Sequence, residues 1–137
     1  MNDQFENITN AAHVDIYAAG NEIFEALLEE VRELSKKKPD ATMSSGKVKI
    51  VNRVLKDLLT FLKDEPEGKY LEELDDDELP QVSDALLVMV QFNTALKKFF
   101  ERHHRYVSAL GYSTWITTEL VAELEETADD SEDDESE

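Results

Sequence analysis

The feature that most constrains the fold is a run of 26 residues, Gln81 to Tyr106, that contains neither glycine nor proline. Its ALLVMV segment is apolar on all sides and would suit a buried strand, but strands rarely exceed about ten residues. The apolar side chains recur every three or four residues, the spacing that aligns them along one side of an α-helix. The run therefore predicts one long helix that begins among acidic residues and Pro80.

Glycine and proline divide the rest of the chain into three further segments whose apolar residues recur at helical spacing. Asn10 and either Ser44 or Ser45 are residue types that cap helix N-termini, and Pro39 prevents the first segment from continuing. The predicted fold is all-α, a four-helix bundle-like single domain. Its predicted helices span residues 10–38, 45–64, 78–106 and 114–126.

The end of the sequence is predicted to be an acidic tail. Residues 127–137 hold a single apolar residue, Ala128, among a run of carboxylates. A segment that cannot bury apolar surface is not expected to fold by itself. We therefore predict a helical domain over residues 1–126 and a disordered tail over 127–137, whose acidic residues either keep the protein dispersed or bind a basic partner. The tail residues of interest are Asp129, Asp130, Glu132, Asp133, Asp134 and Glu135.

Charge is sorted along the chain, which has a net charge of -18. Residues 35–63 hold eight Lys or Arg and two Asp, a local charge of +6. At 100° per residue, most basic residues of the second predicted helix share one side, and the acids of the first helix form a row of their own. The basic stripe comprises Lys36, Lys37, Lys38, Lys47, Lys49, Arg53, Lys56 and Lys63, and the acidic stripe comprises Asp15, Glu22, Glu25, Glu29 and Glu33.

The two stripes have three interpretations. The charges could be matched within one chain, either because the two helices are neighbours or because the tail folds onto the basic stripe, and this is the interpretation we favour from the sequence. The basic stripe could instead meet the phosphates of a nucleic acid, although no aromatic residue interleaves with it. The acidic stripe, together with the tail, could imitate DNA and occupy a DNA-binding protein.

Two apolar faces could contact a partner or the core. Seven apolar residues recur along one side of the first predicted helix, and five apolar residues of the third predicted helix form a second set. The first face comprises Ala12, Ile16, Ala19, Ile23, Leu27, Val31 and Leu34. The candidate apolar interface of the third helix comprises Met89, Phe92, Leu96, Phe99 and Phe100.

The sequence offers no motif for catalysis, cofactor binding or metal binding. It contains no cysteine, which excludes disulfides, thiolate metal ligands and a cysteine nucleophile. Phosphate loops, dinucleotide fingerprints and zinc-protease motifs are absent from it. We therefore expect no catalytic, cofactor-binding or metal-binding residues, and no enzyme activity.

The predicted function is protein binding. A chaperone, an adaptor and an inhibitor all fit a small acidic helical protein with wide apolar faces. Phage DNA mimics and assembly chaperones share this style of composition, but no motif here is specific to either. We expect a cytoplasmic protein with a basic-surfaced protein partner, with a homodimer as a further option, with no membrane association and with no direct binding of nucleic acid. The alternatives are a nucleic-acid mimic that inhibits a DNA-binding protein and, less favoured, a nucleic-acid binder.

Overall fold

The computed structural model describes residues 6–135, with side chains described to residue 128. Helices make up 67% of the chain, so the mostly helical class predicted from the sequence is confirmed. A small two-stranded sheet accompanies them. The elements are α1 (Ala11–Lys37), α2 (Ser45–Leu62), a 3₁₀ turn (Pro66–Tyr70), α3 (Val82–His103), β1 (His104–Val107), β2 (Tyr112–Trp115) and α4 (Thr118–Glu135).

The first two helices lie within two residues of their predicted bounds because their ends are set by local signals. The Asn10 side chain accepts a hydrogen bond from the His13 amide at 2.8 Å, as an N-cap does. Ser44 caps α2 in the same way, through the Lys47 amide at 3.2 Å. Both caps were predicted from the residue types alone.

Residues Asp15–Phe99 form one compact part, and Met1–Val14 with Phe100–Glu137 form the other. In the first part, α1, α2 and α3 share a core of aromatic rings. The centroids of Phe61 and Phe99 are 4.6 Å apart, and those of Phe24 and Phe92 are 6.4 Å apart. All four rings are buried, so each of the three helices contributes to one hydrophobic interior.

The third helix begins at Val82, four residues later than predicted, because two loops pair before it. The Met43 amide donates to the Pro80 carbonyl at 2.8 Å, and the Val82 amide donates to the Ala41 carbonyl at 2.9 Å. Met43 itself is buried. These bonds hold the preceding residues extended, which the local sequence did not reveal.

The second compact part contains a β-hairpin where the sequence predicted the end of the third helix and the start of the fourth. His104 pairs with Trp115 and Val107 pairs with Tyr112 across the antiparallel strands. Gly111 completes the turn with a φ of 79°, a conformation that suits glycine. The predicted end of the third helix at residue 106 and the predicted start of the fourth at residue 114 were therefore wrong.

Contacts from distant residues end α3 at His103. The His103 carbonyl accepts a hydrogen bond from the Ile116 amide at 2.7 Å, and its buried ring lies 2.6 Å through Nδ1 from the Asn7 carbonyl. Thr9 bridges the same region, donating to Ile116 and accepting from Thr118, both at 2.9 Å. Helical periodicity carries no information about such long-range bonds.

The fourth helix begins at Thr118 behind a Thr117 cap and continues to Glu135, beyond the predicted end at 126. Its backbone is therefore helical where the sequence predicted a disordered tail. Residues 136–137 lie outside the described range, and the division into a domain and a tail stays a prediction.

Glu119 joins the start of α4 to the start of α1. Its Oε1 accepts hydrogen bonds from the Ala11 amide at 3.0 Å and the Thr118 hydroxyl at 2.9 Å. The pKa of the Glu119 carboxyl is lowered, first by its own backbone N–H, then by the Thr118 hydroxyl and the Ala11 amide. Ionisation of this carboxyl therefore stabilises the folded state.

This arrangement predicts a pH dependence. The pKa of the Glu119 carboxyl is lower in the folded state than its unfolded value of about 4.3. Its contribution to folding stability is therefore fully present above that pH and is lost as the pH falls through the folded pKa. The Glu119→Gln variant should show a lower melting temperature than the wild type at pH 7, and this difference should shrink on acidification. Thermal melts followed by circular dichroism would test this, with Glu125→Gln as the matched control. An equal difference at every pH would contradict the assignment.

Candidate functional site

The site with the strongest case is a groove between α1 and α2. The helices approach closely at Gly20, where an added Cβ would lie 3.1 Å from Leu58 Cδ2. On their outward side, two cavities of about 280 Å³ and 300 Å³ are lined mainly by apolar side chains from both helices. We define the docking groove as Ile16, Ala19, Ile23, Leu27, Leu34, Ile50 and Val54.

Two of the three isoleucines in the groove are unusually exposed for their size. Ile23 is 55% exposed and Ile50 is 50% exposed. A contiguous exposed apolar surface rimmed by polar residues is typical of an interaction site. The outward side of α1 therefore carries apolar surface that the described part of the chain leaves exposed.

This finding corrects the predicted apolar face of the first helix. Of its seven residues only Val31 is buried, and the core is reached instead by Phe24 and Leu28. The apolar arc of α1 is wide enough to serve two purposes, with one side in the core and the other in the groove. Ala12, Ala19 and Ile23 are exposed.

The acidic stripe lies along the side of α1 next to the groove, and Glu33 from this stripe lines one of the two cavities. All five of its residues are exposed, and Asp15, Glu22, Glu29 and Glu33 lie about 80–120° around the helix from Ile23. Glu33 pairs with Lys36 at 3.0 Å, and Glu29 pairs with Arg32 at 4.0 Å, both within α1. The hydrogen bond from Lys36 is the main cause that lowers the pKa of Glu33. Glu25 lies further from the groove, about 160° from Ile23.

The basic stripe lies mainly along α2, where Lys47 lines the groove, and all eight of its residues are exposed. Lys36 and Lys37 lie in the last turn of α1, and Lys38 follows it. Among the described residues, Lys49 and Arg53 form no ion pair, so their charges are open to solvent. We expected from the sequence that the two stripes would pair with each other. Within the described part of the chain they do not.

The basic stripe of α2 lies beside an acidic loop, residues 72–78. Lys56 Nζ lies 3.9 Å from Glu73 Oε1. Lys49, Arg53 and Lys56 share a cleft of about 600 Å³ with Glu73 and Asp76. Charge complementarity thus exists within the chain, but it joins α2 to this loop.

Asn52 fastens the acidic loop to α2. Its Nδ2 donates to the Leu74 carbonyl at 2.8 Å, and its Oδ1 accepts from the Leu74 amide at 2.9 Å. Asn52 and Leu74 are both buried. The sequence signal for this bond was a single amide among the apolar residues of the second helix.

Three adjacent carboxylates lie in the acidic loop, at Asp75, Asp76 and Asp77. They are exposed, and Asp75 Oδ1 already accepts hydrogen bonds from the backbone amides of Asp77 and Glu78 at 2.9 Å each. These bonds, with that from Glu78 first, lower the pKa of Asp75. The cluster is therefore a capped turn, and we assign it no ligand.

The candidate apolar interface on the third helix is wrong for four of its five residues. Met89, Phe92, Leu96 and Phe99 are buried in the core, because α1 and α2 pack against them. Only Phe100 is accessible, at 40% exposed, and it stacks on His104 at a centroid distance of 4.5 Å. A partner cannot reach the other four without opening the fold.

The hairpin carries a small aromatic cluster that the sequence did not predict. The rings of Phe100 and His104 each meet Trp115 edge-on, at 5.4 Å and 5.3 Å. Tyr106, on the same face of β1 as His104, is largely exposed. The contacts among these rings stabilise the short hairpin.

Side chains of the tail residues Asp129, Asp130, Glu132, Asp133, Asp134 and Glu135 lie outside the described part, so their predicted role stays a prediction. None of the helices described here is long and apolar enough to cross a bilayer. Comparison with protein-family models, curated proteins and solved structures finds no match to this chain.

Proposed function

We propose that this protein is a non-enzymatic binding module that holds a helical segment of a partner protein in the docking groove. The observation that carries the proposal is the exposure of Ile23 and Ile50 above two apolar cavities between the same helices. Helices that bind in grooves insert apolar side chains at three-to-four spacing into such cavities. The roles of chaperone, adaptor and inhibitor share this mode of binding.

The walls of the groove indicate the chemistry of the partner. Glu30, Glu33 and Lys37 of α1 line one cavity with Lys47 of α2, and Asp57 of α2 lines the other. A complementary helix is therefore amphipathic, with charged residues of both signs on either side of its apolar face. Charges of this kind speed and orient association more than they strengthen it, so apolar burial supplies most of the affinity.

The single bundle-like domain and the cytoplasmic location belong to the same proposal. The shared core of α1, α2 and α3 within Asp15–Phe99 supports a bundle as the scaffold of the groove. A helical scaffold holds the two walls of a groove at a fixed spacing, which pre-organises it for binding.

Replacing both exposed isoleucines should abolish partner binding. Each buried isoleucine contributes about 1.5–3 kcal/mol, so Ile23→Asp with Ile50→Asp should weaken binding at least about 100-fold. The partner would be captured from a lysate of the producing cell, identified by mass spectrometry, purified, and titrated by calorimetry. Leu87→Asp, at an equally exposed leucine of α3, is the matched control and should bind as the wild type does.

Duplex DNA distinguishes this proposal from nucleic-acid mimicry. A mimic would bind a DNA-binding protein through the acidic stripe, and both DNA and high salt would displace it. Binding through the groove should survive both treatments. Nucleic-acid mimicry would be favoured if high salt and duplex DNA both displace the partner and if the two isoleucine substitutions leave its affinity unchanged. A direct nucleic-acid binder would instead give a gel shift that Lys49→Glu with Arg53→Glu abolishes.

A further inference from the structure

We propose that the cleft between α2 and the acidic loop is a second docking site, which binds an extended acidic segment of another protein. The cleft has a volume of about 600 Å³, and Lys49, Arg53 and Lys56 line its α2 side. None of the described residues that line this cleft also lines the docking groove. The inference is therefore independent of the proposed function.

The three cations of the cleft form one positively charged row. At 100° per residue, Lys49, Arg53 and Lys56 fall within about 60° of arc on α2. All three side chains are exposed, and Lys56 lies 3.9 Å from Glu73 Oε1. Within residues 6–128, no carboxylate forms an ion pair with Lys49 or Arg53. Two neighbouring cations of the row are therefore available to a ligand.

The acidic loop shows how this side of α2 already binds a segment of chain. Asn52 bonds the Leu74 amide at 2.9 Å and the Leu74 carbonyl at 2.8 Å, and the Leu74 side chain is buried. The preceding residue, Glu73, places its carboxylate near Lys56. The loop is thus an intramolecular ligand, held by its backbone, by one apolar anchor and by one carboxylate.

The part of the cleft beside Lys49 and Arg53 is open. Ser45 and Gly46 line it as well, and a Cβ added to Gly46 would meet no atom within 4 Å. The rise from Lys49 to Arg53 along α2 is roughly 6 Å. Side chains two residues apart in an extended segment are separated by about 6.6–6.8 Å. Alternate carboxylates of such a segment can therefore reach both cations, and the guanidinium can bind a carboxylate through two parallel hydrogen bonds.

The acidic loop makes a nucleic acid a poorer ligand for this cleft than an acidic peptide. The loop carries six carboxylates, two of which, Glu73 and Asp76, line the cleft. A duplex presents one phosphate charge about every 1.7 Å along its axis, so its further phosphates would lie against these carboxylates. Of the described residues that line the cleft, none is an aromatic on which a base could stack. A peptide with few carboxylates can place them at the two available cations alone.

Nuclear magnetic resonance can detect binding in the cleft directly. A peptide of alternating glutamate and serine would be titrated into the full chain, labelled with ¹⁵N, at physiological salt. We expect the backbone amide of Gly46 and the side-chain amide of Asn52 to shift, because both residues line the cleft. The amides of Gly20 and Gly111 lie outside it and should not shift. Added salt should weaken the binding, since the contacts are between exposed charges.

Substitutions on the two sides of the cleft should have opposite effects on the affinity for this peptide. Lys49→Gln with Arg53→Gln should weaken binding about tenfold, because both contacts with carboxylates are lost. Glu73→Gln with Asp76→Asn should strengthen binding about threefold, because the loop then no longer competes for the cations.

The matched control removes two positive charges of the basic stripe that do not line the cleft. Lys38→Gln with Lys63→Gln should leave the affinity within about twofold of the wild type, because distant exposed charges are screened at physiological salt. Equal weakening by the two pairs of substitutions would show attraction to the whole stripe and would overturn the site.

Three further results would also overturn the inference. The first is the absence of a shift at Gly46 and Asn52 on addition of the peptide. The second is tighter binding of duplex DNA than of the peptide, with shifts at the same two residues, which would make the cleft a nucleic-acid contact. The third is stronger peptide binding after the acidic residues of the tail are replaced by their amides, which would identify the tail of this chain as the occupant. None of these results bears on the docking groove, which is tested through Ile23 and Ile50.

Discussion

Replacing Asn52 with leucine will lower the free energy of unfolding by about 2–5 kcal/mol, because it leaves the buried amide and carbonyl of Leu74 without partners. Leucine keeps the branched shape of asparagine but is larger, so the loss reflects the two hydrogen bonds together with the extra volume that the buried site must accommodate. Urea melts would measure it. Hydrogen exchange at the Leu74 amide should accelerate as well, since that amide loses its acceptor.

The matched control for this prediction is Asn52→Asp. An ionised carboxylate can accept from the Leu74 amide but repels the Leu74 carbonyl, whereas a protonated carboxyl can serve both. Stability of this variant should therefore rise relative to the wild type as the pH falls through the pKa of the new carboxyl. A leucine variant as stable as the wild type would show that Asn52 does not hold the acidic loop.

Replacing Phe99 with alanine will cost about 3–5 kcal/mol, the range for removing a buried aromatic ring. Its ring is completely buried and lies 4.6 Å from that of Phe61 and 5.6 Å from that of Tyr17. The cavity left behind cannot collapse easily, because three helices meet there. Chemical denaturation monitored by circular dichroism would measure the loss.

The adjacent residue provides the control. Phe100 is 40% exposed, so Phe100→Ala should cost clearly less than Phe99→Ala, mainly through the lost ring contacts with His104 and Trp115. Equal costs, or a Phe99→Ala variant that keeps its stability but loses a partner, would return this face to the role of an interface.

The sequence predicted helices well where their causes are local. Asn10, Ser44 and the periodicity of apolar residues fixed α1 and α2 to within two residues. The hairpin was missed because its cause is distant: the amide of Ile116 and the carbonyl of Asn7 meet His103 only after the chain has folded. A glycine in the turn was visible, but it also suits a loop between two helices.

The candidate site was predicted only in part, for a related reason. Periodicity showed that α1 has a wide apolar arc, but it could not tell which side of that arc meets the core. Phe24 and Leu28 are buried, whereas their neighbours Ile23 and Leu27 line the groove. The separation of acidic and basic residues was visible in the sequence. The sequence did not show that the basic stripe lies beside the acidic loop, which is bonded to α2 through Asn52.

Thiol protection at position 23 would test the central claim most directly, because the chain has no other cysteine. Ile23→Cys and the control Leu87→Cys would each be alkylated with a maleimide, free and in complex with the captured partner. We predict at least tenfold slower alkylation at position 23 in the complex and an unchanged rate at position 87. An unchanged rate at position 23 with the partner bound would show that binding occurs elsewhere on the molecule.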